Sequence, residues 1–182
     1  MFKKIFNLIK RDDATYYYGM KVDNTPDHQQ HEVYAWNRWI SRYKEYSFKL
    51  PFPAVVELTK RVCDCYGIEM PVIHTGLLPV PAYDEEGHTL YFLENENTIM
   101  IVVHELAHVL CVDRYGTDVE GHGPEYVQCF IDVLSYLRGE PKDELILSAY
   151  NYGLSIKGKK PPVQRDWYTD PLWLDDLDSL PF

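Results

Sequence analysis

Residues 99–110 have the sequence IMIVVHELAHVL, in which two histidines and one glutamate interrupt an otherwise apolar run. The run is longer than an ordinary strand, so it predicts a buried helix from about Thr98 to Asp113. Burying two histidines and a glutamate is costly unless these side chains are paired or bind a metal. The segment is therefore predicted to be both a core helix and part of a metal site.

Two histidines in this run are spaced for binding one cation. His104 and His108 are four residues apart, so on a helix their imidazoles project from the same face. Glu105 is turned by about 100° around the helix axis, near the cation but out of line with its two ligands. From there it can take a proton from a water whose pKa zinc lowers toward about 7. The pattern predicts a catalytic zinc site with Glu105 as its base.

A catalytic zinc site normally has three protein ligands and one open position, so a third ligand is expected downstream. Cys111 and Arg114 stand where HExxHxxGxxH sites have a glycine and the third histidine, which excludes that spacing. The segment GHGPEY at 121–126 offers His122 and, as the less favoured alternative, Glu125. The two glycines beside His122 allow a close backbone approach, whereas a glutamate in the first turn of a helix is also explained by the helix dipole.

HELAH at 104–108, RYG at 114–116 and GHGPEY at 121–126 together resemble the SprT-like (Spartan-type) metalloproteases. In that family HExxH is followed, after a loop, by a GHGPEF-like segment that begins a helix. The resemblance extends weakly over roughly residues 50–138. No Cys-x-x-Cys zinc ribbon follows this region in the sequence, which departs from the family pattern.

The resemblance implies a set of roles for the site residues. His104, His108 and His122 would bind zinc, Glu105 would be the base, and Glu125 would orient a ligand or cap a helix. It also implies proteolysis, often of proteins bound or crosslinked to DNA. The net charge of −10 weakens the expectation of DNA contact, because phosphate binding needs lysine and arginine.

The predicted fold class is α+β and zincin-like, with a small antiparallel sheet packed on the HExxH helix and further helices around it. Strand-like runs at 70–75 and 90–93, with the turn signal Asp84–Gly87 between them, predict the sheet. Proline near each start and glycine near most ends predict four more helices. They run from Thr25-Pro26 to about residue 46, from Pro53 to Gly67, from Gly123-Pro124 to Gly139 and from Pro141 to about Gly153.

Three parts are expected along the chain. Residues 1–24 form an extension, residues 25–153 the SprT-like metallopeptidase domain, and residues 154–182 a basic, proline-containing linker with an acidic, aromatic tail. The tail at 166–182 places aspartates between large apolar residues, so it is a candidate for binding a protein partner. Basic clusters at 3–11 and 157–165 leave nucleic-acid contact open.

The composition, 46% hydrophobic and 25% charged, is typical of a soluble globular protein. No apolar run approaches the roughly 20 residues that span a membrane, and no signal peptide is recognisable. A cytoplasmic protein is therefore expected, with its four cysteines reduced. These are Cys63, Cys65, Cys111 and Cys129.

The predicted function is hydrolysis of peptide bonds in a protein substrate through a metal-activated water. An extended substrate could add to the edge of the strand at 90–93. Two alternatives stay open: hydrolysis of a non-peptide amide at the same zinc, and a zinc-stabilised binding or inhibitory protein that acts through its tail. The candidates for stabilising the oxyanion are Tyr83, Tyr91, Arg114 and Tyr126.

Overall fold

The computed structural model describes residues 27–43 and 46–160, which contain five helices and one three-stranded sheet. The α+β class is therefore confirmed. The extension at 1–24, the pair Thr25-Pro26 and the tail at 166–182 lie outside the described residues. The elements are α1 (Gln30–Ile40), α2 (Phe52–Tyr66), β1 (Val72–Thr75), β2 (Ala82–Asp84), β3 (Thr89–Phe92), α3 (Ile99–Tyr115), α4 (Pro124–Arg138) and α5 (Lys142–Asn151).

Local signals set most of the helix ends. The side chain of Thr98 accepts a hydrogen bond from the backbone N–H of Ile101 and caps α3. Gly67 and Gly139 end α2 and α4 with φ of 67° and 72°, a left-handed conformation that glycine adopts without strain. Pro124 is the first residue of α4, where its missing N–H costs nothing.

Helix α1 is shorter than predicted. It ends at Ile40, after which the backbone N–H groups of Arg42 and Tyr43 bond to carbonyls only three residues back. This tightening is typical of a terminating last turn. The hydroxyl of Ser41 also donates to the carbonyl of Asn37 at 2.7 Å, as helix-ending serines often do.

The sheet has the order β1-β3-β2 and is mixed. The predicted hairpin is confirmed, because β2 pairs antiparallel to β3 with Tyr83 opposite Leu90. The prediction of a wholly antiparallel sheet is wrong, since β1 pairs parallel to β3 with Val72 opposite Thr89. The chain reverses direction between β1 and β2 and again in the hairpin, so β1 and β3 run the same way.

Helix α3 lies at the centre of the core, packed against α2, α4 and β2. Its residues are buried on nearly every side, as its apolar sequence predicted. Trp36 of α1 packs against Phe130 of α4 with ring centroids 5.1 Å apart, which brings α1 onto the helix pair. Leu154 and Ile156, after α5, are also buried, so the packed part of the chain continues past residue 153. All four cysteines are free thiols.

A largely buried carboxylate joins α3, α4 and α5. Asp132 of α4 accepts hydrogen bonds from Arg114 Nη1 and Lys142 Nζ, each at 2.6 Å. Its burial opposes ionisation, but the hydrogen bonds from Lys142 and Arg114 outweigh that effect and lower the pKa of Asp132 below its ordinary value. Arg114 also lies over the ring of Tyr66, so it ties α2 into the same cluster.

We expect Asp132→Asn to lower the free energy of unfolding by about 2 kcal/mol at pH 7, because hydrogen bonds to charged groups are lost. The folded-state pKa of Asp132 is lowered, so its stabilisation exists above the unfolded pKa of about 3.9 and is lost as pH falls. Denaturant unfolding measures the free energy of unfolding of the wild type and of Asp132→Asn, and the difference between the two values should narrow below about pH 4. A difference that stays constant with pH would contradict the assigned ion pairs.

Candidate metal centre

Three histidines converge between α3 and the start of α4. His104 Nε2 lies 3.3 Å from His108 Nε2 and 3.2 Å from His122 Nε2. Their ligand atoms all lie within 4.8 Å of one another, close enough to bind one metal ion. His104 and His122 are buried and His108 is partly buried. The structure thus brings together the three histidines that the sequence singled out.

The loop before α4 holds His122 in place through its two flanking glycines. The N–H of Gly123 donates to the carbonyl of Glu120 at 3.1 Å, and a Cβ on Gly123 would come within 2.9 Å of the Glu120 side chain. A Cβ on Gly121 would lie 3.3 Å from a carboxylate oxygen of Asp27. A larger residue at either position would crowd the turn or push Asp27 away from His122.

Asp27 orients His122 through two hydrogen bonds. The ring Nδ1 donates to Asp27 Oδ2 at 2.6 Å, and the backbone N–H of His122 donates to Oδ1 at 3.2 Å. A proton on Nδ1 leaves the lone pair of Nε2 directed at the other two histidines. Carboxylates that hold a histidine in this way are common beside metal ligands. Asp27 was not predicted, and no motif in the sequence marks it.

His104 is held by two groups on its other ring nitrogen. The Tyr126 hydroxyl lies 2.8 Å from His104 Nδ1 and donates to the His104 carbonyl at 3.4 Å. Asn37 of α1 lies 2.9 Å from the same Nδ1. Burial, together with the neighbouring His108 and His122, lowers the pKa of His104 well below its ordinary value. The neutral imidazole that results is the form that binds metals.

Glu105 is buried beside its histidine neighbours, with 2% of its surface exposed. Burial raises the pKa of Glu105 to about 8. Within the described part of the chain, its Oε1 has no hydrogen-bond partner. A carboxyl group buried in this way is mostly protonated near pH 7, whereas a metal ion at the histidines would stabilise its ionised form, and a water on that ion would donate to Oε1. The residues present therefore fit a metal ion at the three histidines.

Glu125, the alternative third ligand, contacts a different group. Its Oε1 accepts a hydrogen bond from Lys157 Nζ at 2.7 Å. This hydrogen bond lowers the pKa of Glu125. Among the described residues, the group of side chains close enough to share a metal contains the three histidines and no carboxylate.

The four candidates for stabilising an oxyanion all contact other groups. The Tyr83 hydroxyl lies 2.9 Å from His88 Nδ1, and the ring of Tyr91 stacks on His74. Arg114 binds Asp132, and the Tyr126 hydroxyl contacts Nδ1 of His104, while Nε2 of that ring faces the other two histidines. The sequence did not indicate that Tyr34 of α1 lies near the histidines. The centroid of its ring is 5.0 Å from that of His122.

The position of β3 corrects one further expectation about substrate binding. β3 pairs with β1 on one side and with β2 on the other, so its backbone offers no free edge to an added strand. The prediction that an extended substrate adds to the strand at 90–93 is therefore wrong. The reason is that β1 fills that edge by pairing parallel to β3.

Comparisons with models of known families, with curated proteins and with solved structures found no match. Within residues 27–43 and 46–160, no helix has both the length and the apolar character needed to cross a bilayer.

Proposed function

We propose that this protein is a zinc-dependent metallopeptidase of the SprT-like type. His104, His108 and His122 would hold the zinc, and Glu105 would be the general base. The observation that carries the proposal is the convergence of three imidazole Nε2 atoms, together with the buried Glu105 that follows His104 and whose Oε1 has no hydrogen-bond partner among the described residues. The motifs HExxH and GHGPEY also support the proposal, because the resemblance to SprT-like metalloproteases implies the same roles for the same four residues.

The spacing of the nitrogens fits zinc, which is one of the metals that imidazole binds. Imidazole also suits copper, iron and nickel, so ligand type alone leaves the metal open. Two nitrogens bound to zinc at about 2.0–2.1 Å in a tetrahedron lie about 3.3–3.4 Å apart. The separations from His104 to His108 and to His122, 3.3 and 3.2 Å, agree with this value. Three protein ligands also leave a fourth position for water, as in catalytic zinc sites.

In the proposed mechanism, each side chain has a defined task. When bound, zinc would polarise the scissile carbonyl and lower the pKa of the attacking water. Glu105 takes the proton from that water and later delivers it to the leaving amine nitrogen. Asp27 keeps the proton of His122 on Nδ1, and Tyr126 contacts the corresponding nitrogen of His104. His104, Glu105 and His122 are all buried, which limits the access of bulk water to this proton transfer.

The alternatives differ in what they require of Glu105. A zinc kept only for stability needs no base, so the buried glutamate weighs against the binding or inhibitory protein. Hydrolysis of a non-peptide amide uses the same groups and is separated from proteolysis only by the substrate. Contact with nucleic acid, a cytoplasmic location and a partner for residues 166–182 stay predictions.

We expect the purified protein to contain about one zinc per chain, since the three histidines form one site. Elemental analysis measures this content, and digestion of an unfolded protein such as casein measures the activity. Removing zinc with a chelator should abolish cleavage, and one equivalent of zinc should restore it. Protein that holds no zinc after refolding in its presence would refute the proposed function.

A further inference from the structure

Helix α1 reaches the metal site through Asn37. The amide Nδ2 of Asn37 lies 2.9 Å from His104 Nδ1. The other end of the amide, Oδ1, is buried and has no hydrogen-bond partner among the described residues. Burying an amide oxygen without a hydrogen-bond partner is costly, because the oxygen loses its bonds to water. The orientation of this amide therefore needs an explanation.

The tautomer of His104 provides one. For Nε2 to bind a metal, its lone pair must be free and the ring proton must sit on Nδ1. That N–H would then point at the N–H donors of Asn37, so two donors would face each other. A half-turn of the amide exchanges its oxygen and nitrogen within the same outline. Oδ1 would then accept the proton of Nδ1, and the buried oxygen would gain its partner.

The second neighbour of Nδ1 does not select between the two tautomers. The hydroxyl of Tyr126 has one proton, which it can give either to Nδ1 at 2.8 Å or to the His104 carbonyl at 3.4 Å, so it fits Nδ1 with or without a proton. An amide oxygen only accepts, so it fits Nδ1 only when the proton is there. Asn37 is thus a neighbour able to fix the tautomer that leaves Nε2 free.

We propose that Asn37 is a positioning residue whose Oδ1 accepts a hydrogen bond from His104 Nδ1–H when metal is bound. The inference rests on the proposed metal site and adds α1 to it. Asp27, three residues before α1, holds His122 in the same way. One segment, residues 27–37, therefore orients two of the three ligands.

Two substitutions at Asn37 separate this role from packing. Asn37→Leu keeps the approximate size but removes the acceptor, so zinc affinity should fall about 10–100-fold. Asn37→Asp places a group that can only accept at the same position, so it should bind zinc about as tightly as the wild type. Arg38→Leu is the control, since Arg38 is an exposed neighbour on the same helix. Competition with a chromogenic chelator gives all four affinities.

A second measurement keeps the inference testable if Asn37→Leu does not fold. NMR spectra of the zinc-loaded wild type should show a coupling across the hydrogen bond from His104 Nδ1–H to the side-chain carbonyl carbon of Asn37, and Asn37→Asp should show the same coupling to its carboxylate carbon. Two results would overturn the inference. One is an Asn37→Leu variant that binds zinc as tightly as the wild type. The other is an Asn37→Asp variant that binds zinc 10-fold or more weakly than the wild type, which is about the loss expected of Asn37→Leu. A wild type that binds no zinc would instead overturn the proposed function, and this inference with it.

Discussion

Glu105→Gln is expected to slow peptide cleavage at least about a hundredfold, the usual contribution of a general base, while zinc stays bound. Glutamine has nearly the same shape as glutamate, but its amide cannot take a proton from water. Glu105 is buried directly after the ligand His104 in α3, and its Oε1 has no hydrogen-bond partner among the described residues. The loss should therefore fall on kcat, since the three histidines that hold the metal are unchanged.

The measurement is kcat and KM on one peptide, with zinc content determined on the same samples. Glu96→Gln is the matched control, because Glu96 is exposed and pairs with Lys49 on the surface. A Glu105→Gln variant that cleaves as fast as the control would remove Glu105 from the role of base. Loss of zinc from the variant would show that Glu105 helps to hold the metal.

The parts of the site that the sequence predicted depend on local rules. His104 and His108 share a face because of the helical period. Thr98 caps the start of α3 through a hydrogen bond within a few residues, and Gly67 ends α2 through its left-handed backbone conformation. His122 was also indicated locally, by glycines that let the chain turn tightly before α4. These rules involve neighbours in the chain, so one sequence is enough to apply them.

The parts that were missed depend on contacts between distant residues. Asp27 and His122 are 95 residues apart, and Asn37 and His104 are 67 apart. No periodicity links such pairs, and only the docking of α1 on α3 and α4 brings them together. The parallel pairing of β1 and β3 was missed for the same reason, because strand order depends on how the chain crosses the sheet.

His122→Ala is expected to weaken zinc binding more than about a hundredfold, beyond the 10–100-fold that residues outside the ligand shell contribute. The substitution removes one of three nitrogens that lie within 4.8 Å of one another. Glu125→Ala should leave the affinity near that of the wild type, since Glu125 pairs with Lys157. Asp27→Asn should fall between the two, because it keeps His122 but weakens the hydrogen bonds that orient it.

Competition with a chelator at one pH ranks the three variants, and circular dichroism checks that each remains folded. The ranking of the three zinc affinities matters more than any single affinity, because each variant changes a different contact of the loop before α4 or of the first turn of that helix. If Glu125→Ala lost more affinity than His122→Ala, the site would use two histidines and a glutamate. If Asp27→Asn matched the wild type, the carboxylate would contribute to the packing of the loop rather than to the metal. The expected order requires His122 to be a ligand and Asp27 to act through it.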